Sequence, residues 1–121
     1  MANPNIVNVT EIYGKTVTGY ASTINSYPLE NPVSSGKVFK VNSIIIANVD
    51  GTNSADITCE LNDLSLEQTV FLAKTITVPA DATLIVLSKD TSIYLEEGDT
   101  LSISASANGD LSYIISYEEI G

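Results

Sequence analysis

Apolar residues recur at every second position along most of this chain, and that period is the strongest constraint on its fold. In "DTLSISASA", Leu101, Ile103, Ala105 and Ala107 alternate with Thr100, Ser102, Ser104 and Ser106. "ADITCELN" sets Ile57, Cys59 and Leu61 against Asp56, Thr58, Glu60 and Asn62. Unbroken alternation through "KVFKVNSIIIANV" assigns Phe39, Val41, Ile45, Ala47 and Val49 to one face; "LSYIISYEE" does the same for Tyr113, Ile115 and Tyr117. Successive side chains of a strand point to opposite faces, so these segments read as half-buried antiparallel strands. No segment carries a helical period, and "DLSLEQTV" suffices for a single turn.

Turn residues punctuate the alternation. "VDGTNSA" (49–55), "VPADAT" (78–83), "SKDTS" (88–92), "EEGD" (96–99) and "ANGD" (107–110) divide the chain into eight predicted strands. These run over 5–13, 15–24, 37–49, 55–62, 68–78, 82–88, 92–96 together with 99–107, and 111–119. The fold class expected is all-β: a single antiparallel β-sandwich domain over 1–121, jelly-roll-like. Residues 25–36, "NSYPLENPVSSG", read as a loop, and 1–12 as an extended N-terminal arm able to add a strand to a neighbour's sheet edge. A chain of 121 residues buries roughly two-thirds of its unfolded surface and can build a core without metals or disulfides.

The residues that are missing restrict the chemistry. There is no His, no Trp and no Arg. That removes a Ser-His-Asp triad, a Cys-His pair, imidazole metal ligands and bidentate guanidinium clamps. Cys59 is the one cysteine, so no internal disulfide can form; on the apolar side of its strand it reads as a small buried hydrophobe. Fifteen acidic residues against five lysines give a net charge of −10, which repels nucleic acid and anionic membranes but suits a basic protein surface. The start lacks a basic-then-apolar export pattern, so the expectation is a protein made and kept in a cytosol, or assembled there into something larger.

Glu96, Glu97 and Asp99 crowd around Gly98 in "IYLEEGDTLSIS". Adjacent strand residues face opposite ways, so Glu96 and Glu97 do not converge on one atom. The expectation is a tight turn at Gly98 joining two strands of a meander, Asp99 bonding backbone amides, and both glutamates solvated at the tip. "DGTNSAD" offers oxygens at Asp50, Thr52, Ser54 and Asp56, as calcium loops do, but it lacks the closing bidentate Glu; an Asp/Asn/Gly hairpin loop has the same composition. "GKTVTG" (14–19) lacks the preceding Gly-rich stretch and following helix of a phosphate loop. Tyr113 and Tyr117, on the face of Ile115, read as core or interface residues. No catalytic, cofactor-binding or metal-ligating residue is assigned. The short uncharged hydroxyls over 100–106 read either as a contact face, since short side chains pack against a second protein at low entropic cost, or as a plain solvated β surface.

"NIVNVTEIYGKT", "KVFKVNSIIIANVDGTNSADIT" and "TVPADATLIVLSKDTSIYLEEGDTLSISASANGDLSYIISYEEI" together resemble the small all-β virion structural proteins of tailed phages, those of marine cyanophages most closely. The resemblance spans most of the chain and is weakest over 20–36. It implies a non-enzymatic capsid decoration or cement protein that bridges capsomers. Its partners would be the major capsid protein or other virion proteins and further copies of itself, often as a trimer. It would sit on the outer capsid surface without contacting nucleic acid or membrane. A neck, tail or fibre component is the alternative within that class; a carbohydrate- or calcium-binding sandwich module for host attachment is the alternative outside it.

Overall fold

The computed structural model describes residues 3–121. Nine strands form two antiparallel sheets: β1 (Ile12–Tyr20), β2 (Ser26–Glu30), β3 (Val38–Asn48), β4 (Ala55–Asp63), β5 (Gln68–Val78), β6 (Thr83–Leu87), β7 (Ile93–Leu95), β8 (Thr100–Ala105) and β9 (Leu111–Ile120). Sheet I has the order β1-β9-β3-β6, with β7 also paired to β3; sheet II has the order β2-β8-β4-β5. β6 pairs with Ile44–Ala47 of β3 and β7 with Phe39–Val41, so they are one strand position interrupted by a 3-10 turn at Lys89–Thr91. Counted so, eight positions are wound between two sheets in jelly-roll order, the architecture expected from the alternation.

The core lies between the sheets. Val41, Ile44, Ile46, Leu111 and Ile115 enter from sheet I; Ile57, Cys59, Leu101 and Ile103 enter from sheet II. Each aliphatic side chain fully withdrawn from water contributes about 1.5–3 kcal/mol. Two buried asparagines close the ends. The Asn31 amide donates to the carbonyls of Lys37 (2.9 Å) and Leu95 (3.0 Å), tying the end of β2 to the end of β7. The Asn48 amide donates to the carbonyls of Asn53 (3.0 Å) and Val78 (3.0 Å), while its Oδ1 accepts the Asp50 N–H (2.9 Å). Both satisfy carbonyls of loops and strand ends that burial would otherwise leave unpaired.

Several strand boundaries differ from the sequence reading. The strands expected at 5–13 and 15–24 are a single strand, β1, and "GKTVTG" lies inside it. The expected loop at 25–36 contains β2, a short edge strand in which Pro28 is tolerated. The segments 92–96 and 99–107 are neither one strand nor a hairpin: β7 belongs to sheet I and β8 to sheet II, and "EEGD" carries the chain across the sandwich. Of the expected arm, residues 1 and 2 lie outside the described residues, Ile12 opens β1, and Ile6 and Val7 are exposed.

The phase of β3 is the most consequential difference. Val41 pairs with Tyr117 and Ser43 with Ser116, leaving Asn42 as an extra residue. This bulge shifts the alternation by one. Phe39 and Val41 face the core as expected, but beyond the bulge it is Ile44, Ile46 and Asn48 that are buried. Ile45 and Ala47, expected inside, turn outward, and Val49 is exposed.

Candidate interaction surface

Directly opposed residues of antiparallel strands share a face, so the register defines the outer surface of sheet I row by row. One row runs Thr18 (β1), Ile114 (β9), Ile45 (β3), Ile85 (β6). The row above it is Tyr20, Ser112, Ala47, Thr83, and the row below is Thr16, Ser116, Ser43. None of these eleven residues is charged. Below these, the first charged row is Gly14, Glu118, Lys40, Tyr94, which carries one residue of each sign; above them the Val49 N–H bonds the Asp110 carbonyl (2.8 Å), so an acidic residue borders the face at that end. Ile85 is 62% exposed, Ile114 42% and Tyr20 64%. A contiguous apolar and hydroxyl face of this kind, on a chain of net charge −10, is the feature of the surface that marks an interaction site.

The hydroxyl face expected on β8 is less open. Ser102 points outward but is buried, and Thr100 and Ser104 are half-buried. Their neighbours on β4 are Asn62, Glu60 and Thr58, so the face is polar and carries a carboxylate. Side chains there already bond one another: the Asn62 amide donates to Thr100 Oγ1 (2.9 Å), Thr69 Oγ1 donates to Asn62 Oδ1 (2.9 Å) and Thr77 Oγ1 to Asp56 Oδ1 (2.7 Å).

The acidic loops are occupied by their own backbone. Asp50 Oδ1 accepts the N–H groups of Thr52 (2.8 Å) and Asn53 (3.1 Å), and these bonds hold its carboxyl below the usual range. Asp99 bonds backbone amides as expected: Oδ1 accepts from Leu64 N (3.1 Å) and Oδ2 from Glu96 N (3.0 Å). Gly98 adopts φ +87°, and Leu64 packs where a side chain would stand. The two glutamates differ from expectation, however. Glu97 is buried and Glu96 half-buried, because the segment crosses between sheets beneath the β4–β5 turn instead of ending a free hairpin. Burial raises the Asp99 carboxyl, against its two amide bonds, and Asp63 and Glu96 raise it further. Among the described residues no group of three or more His, Cys, Asp or Glu is placed to hold a metal. Cys59 is buried, and desolvation pushes its thiol up to about 12.

A cleft of about 590 Å³ opens between β1 and β2, over Val17, Leu29, Phe39 and Tyr117. The Phe39 and Tyr117 rings pack at 5.4 Å in its floor. At its end Glu119 takes ion pairs from Lys15 (2.7 Å) and Lys37 (2.5 Å). These lower the Glu119 carboxyl, the Lys15 hydrogen bond most, and raise Lys15. Lys74 sits 5.0 Å from the Phe71 ring centre. Three of the five lysines are therefore engaged away from the outer face of sheet I.

No family model and no curated protein matches the chain. Solved structures do. A subunit of Bacillus endospore appendages, a novel family of disulfide-linked pili, superposes with a TM-score of 0.53 at 13% identity, over 91% of this chain and 86% of that one. A pentameric capsid protein from metagenomic phage sequences gives 0.42 at 16% identity, over 87% of this chain and 62% of its own. The infectious bursal disease virus VP2 subviral particle gives 0.44 at 8% identity, over 91% of this chain and 32% of its own. This chain thus spans less than two thirds of the length of the phage capsid protein and of VP2, and both superpose too loosely to bear on its function. The likeness to the pilus subunit is one of fold: a two-sheet jelly roll of similar length.

Proposed function

We propose that this chain is a non-enzymatic virion structural protein of a tailed phage, a capsid decoration protein that bridges and stabilises capsomers on the outer shell. The observation that carries the reading is the three adjacent uncharged rows on the outer face of sheet I, presented by an otherwise acidic jelly roll. A net charge of −10 keeps such proteins apart and away from nucleic acid, so three adjacent rows without carboxylates are where assembly contacts are cheapest in desolvation. The acidic remainder suits basic patches of a shell. Burial spread over several subunit joints adds through avidity, so each joint can be weak. The resemblance of the sequence to phage virion proteins points the same way. So does a fold shared with a pilus subunit, although the buried Cys59 gives this chain no accessible thiol for disulfide linkage.

Quantitative mass spectrometry of purified particles tests the reading. A copy number that tracks the major capsid protein supports decoration. A small fixed number per particle moves the protein to the neck, tail or fibre. Absence from the particle refutes a virion role.

A further inference from the structure

We propose that the outer face of sheet I receives the same face of a second copy, related by a twofold axis along the strand direction between β3 and β9. This rests on the assembly reading above and adds its partner and geometry. Such an axis lays β3 of one copy across β9 of the other and preserves every row. Ile45 of each copy then meets Ile114 of the other, and Ser43 meets Ser116. In the fourth row, which holds both signs, Lys40 of each copy meets Glu118 of the other. The face is self-complementary: the apolar row closes on itself, and the two charges of that row become two opposite-sign pairs.

Charge selects a second copy as the occupant. Two copies of net charge −10 repel through every acidic surface, and the four rows of this face carry no net charge. A basic partner would find better complementarity elsewhere on the chain. Four strands about 4.8 Å apart, crossed by four rows about 6.8 Å apart, give a face on the order of 500 Å² per copy, short of the roughly 800 Å² per partner of a standard stable complex. The pairing is therefore weak and reversible, as a contact repeated across a particle needs to be.

Sedimentation velocity of the full chain between about 10 µM and about 1 mM spans a contact of this strength. The expected result is a reversible rise to twice the chain mass. Ile114→Lys is expected to weaken association at least tenfold. Lys40→Glu and Glu118→Lys, each folded by circular dichroism, are each expected to remain monomeric, because each sets like charges against one another in both pairs. Their equimolar mixture is expected to associate within a few-fold of the parent. Only between the two different variants does every carboxylate of the charged row meet an ammonium again. Should either variant fail to fold, Ile85→Lys replaces it, and unchanged association there overturns the proposal. A monomer throughout, a threefold mass, indifference to Ile114→Lys, or a mixture that stays monomeric each overturns it too. Particle composition is read separately, so a failed pairing leaves the virion role standing or falling on its own data.

Discussion

Replacing Ile44 and Ile45 one at a time separates two phases of the same strand. Unbroken alternation puts Ile45 in the core; the bulge at Asn42 puts Ile44 there, at 1% exposure, with Ile45 on the outer face. Ile44→Ala removes three buried carbon groups at about 0.8 kcal/mol each, about 2.4 kcal/mol of transfer free energy. The cavity left between two packed sheets adds to this, and the total lies within the roughly 2–5 kcal/mol range of core Ile→Ala changes. Ile45→Thr keeps a β-branched side chain on a surface strand and is expected to cost no more than about 1 kcal/mol. Urea unfolding reads both. With a slope of about 2 kcal/mol per molar, Ile44→Ala lowers the midpoint by about 1–2.5 M and Ile45→Thr by less than about 0.5 M. Equal costs at the two positions, or the larger cost at Ile45, would refute the bulge-shifted register and the exterior face built on it.

Three further outcomes follow from the buried turn and the thiol. Gly98→Ala forces an L side chain to φ +87° and into Leu64, and chemical denaturation is expected to show a loss of about 2 kcal/mol or more; a neutral result would mean that the crossing is built differently. The Asp99 carboxyl titrates above its usual 3.8, so the folded state binds the extra proton and stability rises as pH falls toward that raised value. Glu119 titrates below its usual 4.5, so its ion-pair contribution is lost below that value. Thermal stability is thus expected to rise as pH falls through the Asp99 titration and to fall again as Glu119 protonates below 4.5, with Asp99→Asn flattening the rise; a steady decline from pH 7 downward would contradict this. Cys59, with its thiol pushed up to about 12, is expected to resist a disulfide reagent at pH 8 until the chain unfolds; rapid labelling of the native protein would show the core to be open.

The fold was legible because alternation and turns are local. β3, β4, β5, β6 and β9 lie within a few residues of where periodicity and the Asp/Gly/Pro turns place them. What was not legible is set by non-local pairing. Nothing in "VNSIII" distinguishes a straight strand from one carrying an extra residue opposite β9, yet that residue decides whether Ile44 or Ile45 is buried. Nor does "YLEEGDT" say whether the turn returns to the same sheet or crosses to the other. The crossing is what buries Glu97 and makes Asp99 a link to the β4–β5 turn. β2, with Pro28 inside it and a bulge between Ser26 and Leu29, lacks the strand signature because an edge strand needs few ladder bonds. The β8 hydroxyls stood out in the sequence for lacking charge, but absence of charge within one strand does not reveal that the adjacent β4 supplies Glu60. The uncharged face of sheet I draws on four strands distant in sequence, and only the register assembles it.

Carbene footprinting of the chain, dilute and in its assembled form, tests most directly whether that face is where the protein makes its contacts. Protection on assembly is expected at Ile45, Ile85 and Ile114, with Phe71 on the opposite sheet labelled equally in both states. Unchanged labelling of the three isoleucines, with protection appearing on sheet II instead, would contradict the account.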